Sequence, residues 1–161
     1  MPPVRPTRHP PISREEFDEK NRRLIAGDRW LAEADIRAWE RARDWLVERL
    51  SEDESFLVRR RSPRVRMELP AHIAGVGRAV TGDVGFAGVR LAAGESPISS
   101  LKEGDEASVR LSLFGRSIYL LGRVRWLAPD QLGVALDSIH PADQRAIQAA
   151  VLSGLMDRYE A

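Results

Sequence analysis

Arg59, Arg60, Arg61 and Arg64 fall within six residues of one another. Each guanidinium is permanently charged, and its planar set of donors matches phosphate oxygens or the O6/N7 edge of guanine. Nineteen residues beyond Arg64 lies Asp83-Val84-Gly85-Phe86-Ala87-Gly88, a short acidic and glycine-rich segment. A carboxylate there can accept protons from donors on a base, and the glycines let a backbone come close to a ligand. Together the two segments suggest a site for a guanine nucleotide carrying several phosphates.

Groups that could carry catalysis are sparse. The chain has no cysteine, which excludes disulfides, thiol nucleophiles and thiolate zinc sites. His9, His72 and His140 are scattered, with no metal-ligand spacing among them. There is no Gly-x-Ser-x-Gly elbow and no Gly-Lys-Ser/Thr phosphate loop. Gly75, Gly77 and Gly82 miss the dinucleotide-binding spacing. We therefore expect no enzyme, no metal and no cofactor beyond a bound ligand.

The elements that must position these residues are readable from periodicity. At 161 residues and 43% hydrophobic content the chain can build one real core, with or without an extension. Residues 1–12 carry Pro2, Pro3, Pro6, Pro10 and Pro11 and read as an extended, disordered tail. Ser13 and Glu16 form a capping box for a helix that Gly27 ends. Glu16/Lys20, Asp18/Arg22 and Glu19/Arg23 are spaced to pair along it, with Phe17, Leu24 and Ile25 on its apolar side. Asp28 is placed to cap a second helix over residues 29–50. Its stripe is Leu31, Ala34, Ala38, Ala42, Trp45, Leu46 and Leu50, with Trp30 and Trp39 near or outside it and Glu33/Arg37 on the wet side. Two such helices must pack on each other, on the following domain or on another chain. A polar linker follows at Ser51–Ser55.

After the arginines the period changes from 3.6 to 2. Val65, Met67, Leu69, Ala71 and Ile73 alternate with polar residues, and Pro70 marks an edge or a bulge. Further strands are expected at 78–84, 87–93, 106–114, 117–127 and 131–137, joined by glycine-bearing turns. Six short strands read as a small closed antiparallel barrel. Pro141 and Asp143 open a terminal helix whose Ile147, Val151 and Leu155 cap the barrel or meet the first helices.

Arg60-x-x-x-Arg64 before the first strand, and Asp83-x-Gly85-x-x-Gly88 after the second, resemble the PilZ family of bacterial six-stranded barrels that bind cyclic di-GMP. Gly122-Arg123-Val124-Arg125-Trp126, Leu132-Gly133-Val134-Ala135-Leu136 and the closing helix agree with it. The resemblance covers residues 58–157, leaving a tail at 1–12 and a helical extension with linker at 13–57. It implies a mainly β fold and a ligand site of Arg59, Arg60, Arg64, Asp83, Gly85 and Gly88. Arg60 and Arg64 would grip phosphates and guanine, Asp83 would take guanine donors, and Gly88 would admit the ligand. Arg59 would accompany binding of a stacked ligand dimer. One position departs from the family pattern, which has serine where this chain has Gly85. A neutral hydrogen bond is worth about 0.5–1.5 kcal/mol, so its loss should weaken binding without abolishing it.

On this reading the chain is a cytoplasmic cyclic di-GMP receptor that relays the ligand to a protein partner through ordering of the arginine-rich segment and the N-terminal helices, and those helices could also serve a homodimer. The alternative is an adaptor or oligomerisation barrel that binds no nucleotide. A net charge of +1 gives no bulk field toward duplex nucleic acid or anionic membrane, and no apolar run approaches the roughly 20 residues of a membrane span. The N-terminus also lacks the apolar core of a signal peptide.

Overall fold

The computed structural model describes residues 9–52, 62–94, 98 and 100–160. Of the expected tail, residues 1–8 lie outside the described residues. So do residues 53–61, which include most of the expected linker and Arg59, Arg60 and Arg61.

Helix α1 spans Arg14–Ala26, and the Ser13 side chain accepts from the Glu16 amide at 3.2 Å. Gly27 ends it in the left-handed region at φ 74°, and the amides of Gly27 and Asp28 donate back to Leu24 and Arg23. Only glycine takes that φ without a side-chain clash. The three ion pairs expected along α1 are not the ones formed. Arg14 pairs with Asp18, Arg22 with Glu19, Arg23 with Asp28 and Lys20 with Asp35. Exposed long side chains choose among partners of nearly equal energy, so spacing alone selects poorly among them.

Helix α2 spans Glu33–Glu52, starting later than expected and running two residues into the expected linker. Glu33 and Arg37 pair at 2.6 Å as anticipated. Asp28 does not cap α2. Its Oδ1 accepts from the Trp30 amide at 2.8 Å, and its Oδ2 holds Arg23 at 2.7 Å. The Arg23 hydrogen bond, then the Trp30 amide, hold the Asp28 carboxyl below the usual carboxylate range. A depressed carboxyl stabilises the fold above its ordinary pKa, and that contribution is lost as pH falls through the depressed value. In an NMR pH titration the Trp30 amide should hold its position down past about pH 4 and shift only below it. A shift centred at the ordinary value would mean that the turn does not hold the carboxylate.

Trp39 corrects the expected stripe. It is fully buried, whereas Ala34 is exposed. The Trp39 Nε1 donates to Asn21 Oδ1 of α1 at 2.6 Å, and the Arg43 guanidinium lies over its ring at 5.4 Å. An indole on a seemingly polar face is thus matched by a buried amide on the neighbouring helix.

Seven strands follow: β1 (Arg64–Arg66), β2 (Pro70–Ile73), β3 (Gly77–Gly85), β4 (Gly88–Ala93), β5 (Glu106–Leu113), β6 (Arg116–Leu127) and β7 (Gln131–Ile139). All pairings are antiparallel. The ring runs β3-β2-β5-β6-β7-β4 and closes through β3–β4. The strand expected at 64–73 is broken in two: β1 pairs with the end of β3 and β2 with its start, so the two share one place in a six-stranded barrel. Buried Thr81 splices the break. Its hydroxyl accepts from the Leu69 amide and donates to the Met67 carbonyl. The alternation survives the break, with Val65, Leu69 and Ile73 all in the core.

Helix α3 spans Pro141–Glu160, with Pro141 at its first position and His140 Nδ1 accepting from the Ala142 amide at 3.2 Å. Ala146, Ile147, Ala149, Ala150, Val151, Leu152, Leu155 and Met156 are buried, leaving it with no single apolar stripe. It packs on β1 and β3 on one side and on α1 on the other. The two roles expected of Ile147, Val151 and Leu155 are therefore filled together. Arg116, at the start of β6, ties the three parts by reaching Asp143 of α3 and the Leu24 carbonyl of α1. No helix among the described residues is long and apolar enough to cross a membrane.

Candidate functional site

Strand β1 is short but carries the site residues in alternation. Val65 is buried, and Arg64 and Arg66 point to solvent. The register sets Arg64 opposite Gly85, Val65 opposite Val84 and Arg66 opposite Asp83. The end of the arginine cluster and the acidic, glycine-rich segment are thereby on one wall of the barrel. Arg59 and Arg60 lie outside the described residues.

Following the register around the ring gives an outward row: Arg66 on β1, Asp83 on β3, Arg90 on β4, Gly133 on β7 and Trp126 on β6. The Arg90 Nε donates to Asp83 Oδ2 at 2.8 Å, and its Nη1 donates to Gln131 Oε1 at 3.2 Å. The bond to Asp83 raises the Arg90 pKa further above its ordinary value, so this cation is fixed at any working pH. An open groove of about 470 Å³ runs beside the row along Arg66, Glu68, Gly82 and Arg90.

Two glycines make the wall flat. A Cβ at Gly82 would stand 2.5 Å from Arg90 Nη2, and one at Gly133 would stand 2.1 Å from Trp126 Nε1. The guanidinium and the indole therefore lie against bare backbone. Trp126 remains 41% exposed. A planar cation and an aromatic face on one surface can stack a purine ring, and Arg64 and Arg66 can neutralise phosphate.

Gly85 and Gly88 have their own packing reasons. A Cβ at Gly85 would sit 3.0 Å from the Pro63 carbonyl oxygen and 3.1 Å from Arg64 Cβ. Gly85 thus lets the chain before β1 close onto β3, where the Phe86 amide donates to the Pro63 carbonyl at 3.0 Å. It belongs to β3 and not to a loose turn, which is confined to Phe86 and Ala87. A Cβ at Gly88 would meet the Val134 carbonyl oxygen at 2.4 Å, so this glycine allows β4 to approach β7. Arg66, Arg90, Gln131 and Trp126 were not selected by sequence spacing, because their proximity arises only across the ring. The nearest local signal was Arg90, two residues past Gly88.

Among the described residues no group of histidines and carboxylates could hold a metal ion. The architecture is that of a closed six-stranded barrel with a helix across it and a polar wall of arginine, carboxylate and indole. The PilZ domain family matches residues 58–153, and the chain belongs to that family. Its domains are receptors and adaptors, not enzymes.

Two solved structures carry the same fold. The structure of the Bacillus subtilis inhibitor of motility (MotI/DgrA) aligns with a TM-score of 0.55 at 16% identity, over 63% of this chain and 53% of that one. The aligned part thus spans about half of that protein. The PilZ domain with c-di-GMP of YcgR from Escherichia coli aligns with a TM-score of 0.51 at 13% identity, over 63% of this chain and 95% of that one. No curated protein matches the sequence.

Proposed function

We propose that this chain is a cytoplasmic receptor for cyclic di-GMP that does no chemistry and passes the ligand signal to a protein partner. The observation that carries the reading is the register that sets Arg64 and Arg66 beside the Asp83 segment, on the wall that also holds Arg90 and Trp126. Arg59, Arg60 and Arg64 supply phosphate and guanine contacts, Asp83 accepts from a guanine edge, and Gly85 and Gly88 keep the backbone low. The family and the ligand of the YcgR PilZ domain support the same ligand here.

A mechanical path supports the relay. Val65, between Arg64 and Arg66, faces Gly154 of α3, where an added Cβ would be 3.2 Å from Val65 Cγ2. Helix α3 packs in turn on α1. A ligand that draws β1 onto the wall therefore loads α3 and, through it, the N-terminal helices. Binding energy is spent on ordering the arginine segment, an order–disorder switch. Hydrogen exchange in residues 50–66 should slow on ligand addition, and unchanged exchange there would remove the coupling.

The direct test is calorimetric titration of cyclic di-GMP, with cyclic di-AMP as control. Saturable, guanine-selective heat is expected, and two ligands per chain would support the role of Arg59 in holding a stacked dimer. No heat at high micromolar ligand would favour the second reading, a nucleotide-free adaptor or homodimer, for which Gly85 speaks.

Gly85 can be weighed separately. Alanine and serine add the same Cβ against Pro63 and Arg64, and they differ by one hydroxyl. Gly85→Ala should weaken binding. Gly85→Ser should bind more tightly than Gly85→Ala by about 0.5–1.5 kcal/mol, at most about tenfold, in parallel titrations. Equal affinities would mean that the position has no hydroxyl contact to offer the ligand.

A further inference from the structure

The face of the barrel adjoining the proposed nucleotide site, on the far half of β3, carries a second row. Strands β2 and β5 stand three places around the ring from β7 and β4. Their register aligns Arg78 of β3, His72 of β2, Arg110 of β5 and Tyr119 of β6 in one line across the strands. The first three are exposed, and Tyr119 is 66% exposed. Elsewhere on the barrel Arg90, Arg116 and Arg123 each hold an aspartate. Arg78, His72 and Arg110 have no such partner among the described residues. A groove of about 440 Å³ runs along them, and among the described residues its lining, which includes Pro70, His72, Arg78, Val80, Arg110 and Ser112, has no carboxylate. Exposed Val80 flanks Arg78, and exposed Leu121 lies beside Tyr119.

We infer that this face docks an acidic amphipathic helix of a partner protein, laid across β3, β2, β5 and β6. Charge complementarity names the partner's chemistry: two arginines with no counter-ion among the described residues call for carboxylates, and the His72 imidazole between them can donate a hydrogen bond to one. Spacing names its form. Neighbouring strands lie about 4.8 Å apart, which puts Arg78 and Arg110 roughly 10 Å apart with His72 between them. A helix rises about 5.4 Å per turn, so carboxylates at i, i+4 and i+7 fall at nearly the same intervals. Apolar residues beside that stripe meet Val80, Tyr119 and Leu121, and tyrosine and arginine are the side chains that dominate such contacts. Single-stranded nucleic acid fits less well, because it needs successive stacking faces and the row offers one.

The test is an NMR titration of the full chain with three probes: an alanine-based helical peptide with Glu at i, i+4 and i+7 and Leu beside them, its scrambled isomer, and oligothymidylate. Saturable shifts are expected for the helical peptide at residues 70–73, 78–80, 108–112 and 119. Arg78→Glu and Arg110→Glu should each weaken it by at least about fivefold, whereas Arg41→Glu on α2 makes the same charge change and should have no effect. Equal binding of the scrambled peptide would reduce the row to bulk charge and overturn the proposal. Shifts located elsewhere, or none, would overturn it too. Saturation by oligothymidylate alone would make the partner a nucleic acid instead. Val80 borders both grooves, so the two readings are separated by residues peculiar to each: the peptide should shift His72 and Arg110, and cyclic di-GMP should shift Arg66 and Arg90.

Discussion

Replacing Arg60 and Arg64 together by alanine is expected to weaken cyclic di-GMP binding by at least about a hundredfold. Hydrogen bonds to charged groups contribute about 1.5–3 kcal/mol each, so losing two gives about 3–6 kcal/mol before any coupling between them. Arg64 is exposed on β1 and holds no ion pair with another described residue, so the fold has little to lose there. The melting temperature should therefore stay near that of the parent chain while calorimetric affinity collapses. Arg64→Lys separates charge from shape. It keeps the positive charge and loses the planar fork, and it should bind more weakly than the parent but more tightly than Arg64→Ala. Affinity of the double variant within threefold of the parent would remove these arginines from the site and leave the adaptor reading standing.

The largest expected effect on stability is at Trp39. Trp39→Ala removes a fully buried indole, for which truncation costs about 3–5 kcal/mol. It also strands Asn21, which is buried and whose Oδ1 is held by that indole; its Nδ2 has no partner among the described residues. For a chain of this size the loss corresponds to a fall in Tm of about 6–20 °C. Trp39→Phe retains most of the ring and should fall between the two, exposing the contribution of the Asn21 hydrogen bond. The principal packing of α2 is on α1, away from the wall of Arg66, Asp83, Arg90 and Trp126. At low temperature, where the variant is folded, its affinity for cyclic di-GMP should therefore stay within about threefold of the parent. A loss of affinity as large as that of the arginine variant would mean that the helices help to form the site instead of responding to it. An unchanged Tm would mean that α2 does not contribute to the cooperative unit.

What the sequence determined by itself is what depends on neighbours along the chain. Period 3.6 up to residue 50 and period 2 after the arginines follow from backbone geometry, and so do the Ser13 cap, the Gly27 stop and the opening of α3 at Pro141. The fold class was legible for that reason, whereas the Arg60/Arg64 and Asp83–Gly88 segments were joined as one motif only by the family resemblance; the register sets Arg64 opposite Gly85. The tertiary structure decided what depends on which strands and helices become neighbours. Residues 64–73 carry one alternating pattern, but only the Thr81 hydroxyl across the barrel explains why they make two strands. Trp39 reads as peripheral until α1 brings Asn21 to it. Arg90 and Trp126 are separated by 36 positions, and they share a wall because β4 and β6 both border β7 and because Gly82 and Gly133 leave room for flat groups. The row of Arg78, His72 and Arg110 has the same origin. Register across a closed ring is set by the twist and closure of the whole barrel, and no local period encodes it.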